Sequence, residues 1–101
     1  MSPHVIETVL FKLKDGITKD AFVETLDAAN RFITSCPGFI ARRLSCTADG
    51  TWIEHIEWES MDHAKAAAAQ IGSNSDASAM VQAISGESVT LMHSDLAVSI
   101  G

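Results

Sequence analysis

Residues 4–13 read His4-Val5-Ile6-Glu7-Thr8-Val9-Leu10-Phe11-Lys12-Leu13. The β-branched and apolar side chains Val5, Ile6, Thr8, Val9, Leu10, Phe11 and Leu13 leave few polar positions, so the run reads as a strand covered on both faces. Such a strand belongs in the middle of a sheet. Glu7 is the exception inside it, a carboxylate on the same face as Val5, Val9 and Phe11.

Moving outward, Lys14-Asp15-Gly16 turns the chain, Thr18 has the chemistry of a helix N-cap, and Asp20 suits the positive end of a helix. Phe22, Leu26, Ala29 and Ile33 then fall on one helical face, until Cys36-Pro37-Gly38 ends the run. Phe39–Cys46 and Thr51–Trp58 are strand-like and joined by Thr47-Ala48-Asp49-Gly50, whose Asp-Gly pair signals a hairpin. Ser60 can cap a second helix with a narrow face of Ala64, Ala67, Ala68 and Ile71, small enough to lie close to a sheet, and Gly72 fits its end. Polar Ser73–Asp76 interrupts that helix before Ala77, Met80, Val81 and Ile84 restore its period. Ser88–Val98 reads as the final strand.

Strand, helix, strand, strand, helix, strand is the split βαβ order of an α+β, ferredoxin-like βαββαβ domain, an antiparallel sheet with both helices on one face. Residues 1–101 form a single domain on this reading. The second face of the sheet then needs a cover, and two-fold pairing with a second copy supplies one.

Composition narrows the function classes. Thirteen acidic and seven basic residues give a net charge of −6, and the only adjacent basic pair, Arg42-Arg43, points to opposite faces of a strand. Nucleic-acid binding is therefore not expected. No apolar run reaches the ~20 residues of a membrane span, and the opening Met-Ser-Pro-His-Val lacks the pattern of a secretory signal, so the expected setting is cytoplasmic. Cys36 and Cys46 fit no metal or redox spacing and read as buried or half-buried thiols. No phosphate loop or GxGxxG run is present, and neither a cofactor nor a metal is expected.

The segment Val9-Leu10-Phe11-Lys12-Leu13-Lys14-Asp15-Gly16-Ile17-Thr18 resembles the opening of the stress-responsive dimeric A/B-barrel proteins. Pro37-Gly38-Phe39 and Glu57-Trp58-Glu59-Ser60 are similar to both that family and the antibiotic-biosynthesis-monooxygenase-like domains, and the likeness runs from about residue 5 to 98. The resemblance implies a dimeric α+β barrel in which two sheets meet face to face and a small organic ligand sits between sheet and helices. Its members include cofactor-free oxygenases of quinol-type substrates, haem-degrading enzymes, polyketide cyclases and proteins with no known reaction, and fold alone does not choose among them. The strand-one histidine of the cyclases falls at Glu7, and their second histidine falls near Ser73–Asp76, where none occurs. The haem-degrading pattern needs an asparagine in strand one, which is absent, and Trp58 with His63 alone does not complete it.

Polar residues in buried strands carry a cost, and these are the candidates. Glu7 is a candidate general base, or a carboxylate satisfied near the strand's open end. Trp52, Glu54, Ile56 and Trp58 share one face of their strand; Ile53, His55 and Glu57 share the other. On the register implied by the resemblance, Glu54 and the tryptophans line a pocket for a flat aromatic ligand, with Phe11 beside them. The competing reading of Trp52 and Trp58 is core or dimer packing. His55 and Glu57 read as a paired couple rather than metal ligands, Arg42 as a partner for Glu54 across the hairpin or a ligand contact, His93 as a further acid or base, and His4 as a frayed terminus.

Three functions follow. The first is a cofactor-independent monooxygenase-like or cyclase-like enzyme for a small aromatic or polyketide-like molecule, using Glu7, Glu54, His55 or His93, with Trp52, Trp58, Arg42 and Phe11 contacting substrate. The second is a non-enzymatic stress-related or ligand-binding homodimer. The third is an assembly module with an exposed apolar patch.

Overall fold

The computed structural model describes residues 3–101. Strand β1 (Val5–Phe11) leads into helices α1 (Lys19–Glu24) and α2 (Leu26–Ser35), then the hairpin β2 (Phe39–Cys46) and β3 (Trp52–Trp58). Helices α3 (Met61–Ile71) and α4 (Ser78–Ala83), a short 3-10 turn at Gly86–Ser88 and strand β4 (Thr90–Asp95) complete the chain. The sheet order is β2-β3-β1-β4 with every neighbouring pair antiparallel. This is the ferredoxin-like arrangement, and β1 is central as its apolar run requires.

Local chemistry explains the boundaries. Thr18 caps α1 by accepting the Ala21 amide at 3.0 Å, and Ser60 caps α3 by accepting the His63 amide at 3.3 Å. The single first helix expected from Phe22, Leu26, Ala29 and Ile33 is divided at Thr25, whose hydroxyl donates to the Phe22 carbonyl at 2.6 Å and draws the chain into a tight turn. The apolar face survives the break: Phe22 and Ala29 are fully buried and Ile33 nearly so. The second helix is interrupted where the polar run Ser73–Asp76 predicts, with Asn74 Oδ1 accepting the amides of Asp76 and Ala77 at 2.9 and 3.2 Å.

Two strands are shorter than expected. Beyond Phe11 the chain pairs with the segment after α4, through Lys14 N–H to Ala83 C=O and Ser85 N–H to Lys12 C=O, both 2.9 Å. Ser88 is held in its 3-10 turn by a 2.6 Å bond to the Ser85 carbonyl, so β4 starts only at Thr90. The two cysteines are free thiols, Cys36 buried and Cys46 half-buried.

The core lies between the sheet and the helices. It gathers Val5, Phe11, Phe22, Phe32, Ile33, Trp52, Ile56, Trp58, Met80 and the alanines of α3. Phe22 stands 4.8 Å from the Trp52 ring and 5.7 Å edge-on from Phe11, while Phe39 meets Trp58 edge-on at 6.0 Å. The opposite face carries Ile6, Leu10, Ile53 and Met92 among the polar Thr8, Arg43, His55 and Glu57, and no helix of the described residues covers it.

Candidate functional site

Alternation along the strands decides which side chains face the helices. The register sets Val5 against Trp58, Glu7 against Ile56, Val9 against Glu54 and Phe11 against Trp52, so all eight share the helix-covered face. On the outer sides of the sheet, His93 of β4 stands opposite Glu7, and Arg42 of β2 opposite Ile56. Glu7 and Glu54 are each only 8% exposed, among apolar neighbours.

Each buried carboxylate has a partner. Glu54 Oε2 accepts from an Arg42 terminal nitrogen at 2.6 Å, with both side chains about one-tenth exposed or less. The guanidinium also donates to Asn30 Oδ1 of α2 and lies 3.4 Å from Met80 Sδ of α4. Glu7 Oε1 lies 3.4 Å from His93 Nε2, a pair only partly closed to water. The Trp58 indole N–H is buried and near the Glu7 carboxyl without completing a well-formed hydrogen bond to it, and Arg42 Nε is buried without a partner. Burial pushes the Glu7 carboxyl above its ordinary value and the neighbouring charge of Glu54 pushes the same way; His93, with a weaker contribution from the Trp58 indole, opposes them.

Two adjoining chambers open between the sheet and helices α3 and α4. The inner one, about 200 Å³, is lined by Glu7, Phe32, Ile33, Glu54, Ile56, Trp58, Ala67, Ala68, Ile71 and Leu91. The outer one, about 300 Å³, shares Glu7, Glu54, Ile71 and Leu91 and adds Val9, Phe11, Met80, Val81, Ile84, Gly86 and Val89. The space has a physical origin: the alanine face of α3 leaves methyl groups where larger side chains would fill the gap above the sheet. Val81, Val89 and Leu91 are 37–49% exposed and give the outer chamber an apolar mouth beside β4.

The structure thus brings Glu7, Glu54, Trp58 and Phe11 to one cavity and sets His93 against Glu7. It separates the other expected residues. His55, a candidate acid or base, lies on the opposite, helix-free face as the alternation has it, exposed between Thr8 and Arg43 and outside both chambers, so its role in the pocket is corrected. Trp52 packs into the Phe11 and Phe22 cluster rather than lining either chamber. Arg42 lies outside both chambers, at the floor of an outer groove between α2 and β2 with Leu26, Asn30 and Leu44. The expected His55 and Glu57 couple does not form, since Glu57 instead pairs with His4 at 2.7 Å, which ties down a residue read as a frayed end. Sequence reading missed Asn30, Met80 and the α4 and β4 side of the cavity. Asn30 carried a signal, standing four residues after Leu26 on the edge of the apolar stripe.

No family model matches the sequence, and no curated protein matches it. Solved structures do match its fold. SnoaB, a cofactor-independent oxygenase from Streptomyces nogalater, superposes with a TM-score of 0.68 at 19% identity, over 99% of this chain and 97% of that one. A candidate antibiotic biosynthesis monooxygenase from Bordetella bronchiseptica gives a TM-score of 0.74 at 12% identity, over 96% and 100%. A haem-degrading protein from Mycobacterium tuberculosis gives 0.70 at 13% identity, over 100% and 99%. The chain therefore has the fold of the antibiotic-biosynthesis-monooxygenase-like proteins.

The donor set of this chain does not fit a haem held by an axial imidazole. His63 hydrogen-bonds Ser60 at 2.8 Å in the first turn of α3 and packs on Gly38, away from both chambers. His93, the imidazole beside the cavity, has its Nε2 on Glu7. Among the described residues no three His, Cys, Asp or Glu side chains gather as a metal site, and no helix is long and apolar enough to cross a membrane.

Proposed function

We propose that this chain is a cofactor-independent, monooxygenase-like or cyclase-like enzyme acting on a small aromatic or polyketide-like molecule. The observation that carries the reading is Glu7, a carboxyl buried in the wall of an apolar chamber beside an imidazole 3.4 Å away. Burial raises its proton affinity toward that of the weakly acidic phenols and activated methylenes such molecules present, which is what a general base needs. Apolar chamber walls with few polar groups suit a flat, largely uncharged ligand, and the fold shared with a cofactor-independent oxygenase supports the same class.

Glu7 takes a proton from the substrate carbon or phenol, leaving a delocalised anion. In the oxygenase branch the anion passes one electron to O₂, the radical pair couples to a peroxide, and the proton returns to it. Loss of water then leaves a ketone, so that R₂CH₂ and O₂ become R₂C=O and H₂O. In the cyclase branch the carbanion attacks a carbonyl of the same chain, and the alkoxide takes the proton back from Glu7. His93 orients the Glu7 carboxyl in both. Trp58 and Phe11 flank the ligand, and Glu54 supplies a fixed charge.

The working particle on this reading is a homodimer paired through the helix-free face, which puts Ile6, Leu10, Ile53 and Met92 under cover. Anthrone in aerated buffer is the first probe, with O₂ uptake and the quinone absorbance as readouts. Stoichiometric O₂ uptake that falls ~10²-fold or more in Glu7→Gln is expected of a lost general base. Turnover unchanged in both Glu7→Gln and Glu54→Gln would remove these roles. Saturable binding of anthrone without O₂ uptake or cyclisation would favour a non-enzymatic ligand-binding dimer.

A further inference from the structure

Four polar side chains, one from each strand, cross the helix-covered face of the sheet: Arg42 from β2, Glu54 from β3, Glu7 from β1 and His93 from β4. Arg42 and Glu7 both stand opposite Ile56, and His93 stands opposite Glu7, while Glu54 lies one same-face position along β3 from Ile56. The charges run basic, acidic, acidic, basic across the sheet. Their two pairings are unequal. Arg42 meets Glu54 at 2.6 Å with side chains 8% and 10% exposed, whereas His93 and Glu7 stand 3.4 Å apart at 17% and 11%.

Arg42 does not line either chamber, but Glu54 lines both. The guanidinium is also held by Asn30 of α2 and Met80 of α4. A guanidinium is a permanent cation in proteins, and neutralising Glu54 would leave it buried and uncompensated. We propose that Arg42 is a positioning residue acting through Glu54: it fixes the negative charge there, and so makes Glu7 the carboxyl of the cavity that exchanges a proton with the ligand.

Two nearby carboxylates facing one apolar space resist ionising together, so the proton is held by the one without the permanent cation. Burial and the charge of Glu54 both raise the Glu7 carboxyl, against the pull of His93 and the Trp58 indole. Among the described residues no titratable group besides Glu7 and Glu54 lines the chambers: α2 presents Phe32 and Ile33, α3 presents Ala67, Ala68 and Ile71, and α4 presents Met80 and Val81. A consequence for the ligand follows. The fixed charge on Glu54 disfavours an anion entering the chamber, so the substrate enters as the neutral acid and is deprotonated in place. The proposal rests on the functional reading for the use of Glu7 in turnover, but the division of charge exists without any ligand.

The test is a carbon-detected NMR titration of the side-chain carboxyls in the ligand-free protein. In the wild type the Glu7 resonance is expected to take up its proton before that of Glu54 as pH falls. Glu54→Gln is expected to shift the Glu7 midpoint to lower pH, since it removes a like charge and leaves the arginine. Arg42→Gln is expected to abolish the order and Arg42→Lys to restore it. Where Arg42→Gln does not fold, the wild type, Glu54→Gln and the volume-matched Arg42→Gln/Glu54→Gln double variant decide, the last also lowering the Glu7 midpoint. Glu54 protonating first in the wild type, or a Glu7 midpoint unmoved by Glu54→Gln, would overturn the proposal. If the order holds while anthrone is not turned over, the charge division stands and the functional reading falls.

Discussion

Replacing Gly38 by alanine tests how the hairpin is joined to helix α3. Gly38 has φ +83°, and a Cβ there would lie 2.6 Å from His63 Cβ and 2.7 Å from its Nδ1, and nearer still to Cγ. Those distances are below any ordinary carbon contact, so the imidazole must move and its bond to Ser60 at the helix cap is lost. Three contributions add: about 1–2 kcal/mol for the left-handed backbone, about 0.5–1.5 for the hydrogen bond and about 1–3 for overpacking. The stiffer unfolded chain offsets about 0.4–1 kcal/mol. The expected loss is then roughly 1.5–6 kcal/mol, centred near 4. With a urea slope of ~2 kcal/mol per molar, the midpoint falls by about 1–3 M at unchanged slope. Gly50→Ala is the control, since its φ is +90° but nothing lies within 4 Å of the new methyl. It should cost only about 1 kcal/mol. Adding His63→Ala to Gly38→Ala should recover only the part of the clash that the ring contributes, because the Cβ of residue 63 stays 2.6 Å from the new methyl. If Gly38→Ala and Gly50→Ala unfold at the same urea concentration, the close approach of His63 to the hairpin entry is wrong.

Further outcomes follow from the same geometry. Glu7 is raised above its ordinary 4.5 in the folded chain, first by burial and then by Glu54, so between 4.5 and the folded value the native state binds more protons than the unfolded one. Its contribution is therefore fully present below pH 4.5 and is lost as pH rises through the folded midpoint. Urea melts across pH should show that decline, and Glu7→Gln should remove it; an identical pH profile in the variant would contradict the burial argument. Phe22→Ala, at a position with no exposure and aromatic contacts to Phe11 and Trp52, should cost about 3–5 kcal/mol and alter tryptophan fluorescence, and a loss under 1 kcal/mol would refute the packing. Ile53→Lys on the helix-free face should convert a two-chain particle to one chain by light scattering after gel filtration; a wild type of one-chain mass at every dilution would end the dimer reading.

Much of this molecule was legible in the chain. The apolar run around Val5–Phe11, the Asp49-Gly50 turn, the Ser60 cap and the polar break at Ser73–Asp76 are local signals, and each acts within a few residues of itself. Period-two alternation likewise placed Glu54 with Trp58 and His55 opposite, because a strand's pleat depends on nothing beyond the strand. The break at Thr25 was not legible, since one hydroxyl bond at 2.6 Å overrode a helical period that continues unchanged through it.

Only the tertiary structure decided the partners. Glu7 and His93 are 86 positions apart, and their meeting depends on β4 returning beside β1 in one register out of several the alternation allows. Glu57 found His4 rather than His55, its neighbour but one along the strand, for the same reason: pairing across a sheet is set by which strands lie adjacent and how they are offset. The chambers are likewise a tertiary product. Ala67 and Ala68 announce a helix that can sit close to a sheet, but whether that closeness yields contact or a cavity depends on what packs around it, here Ile71, Met80 and Leu91. A side chain's direction is written in its own few residues; what it meets is set by the free energy of packing the whole chain.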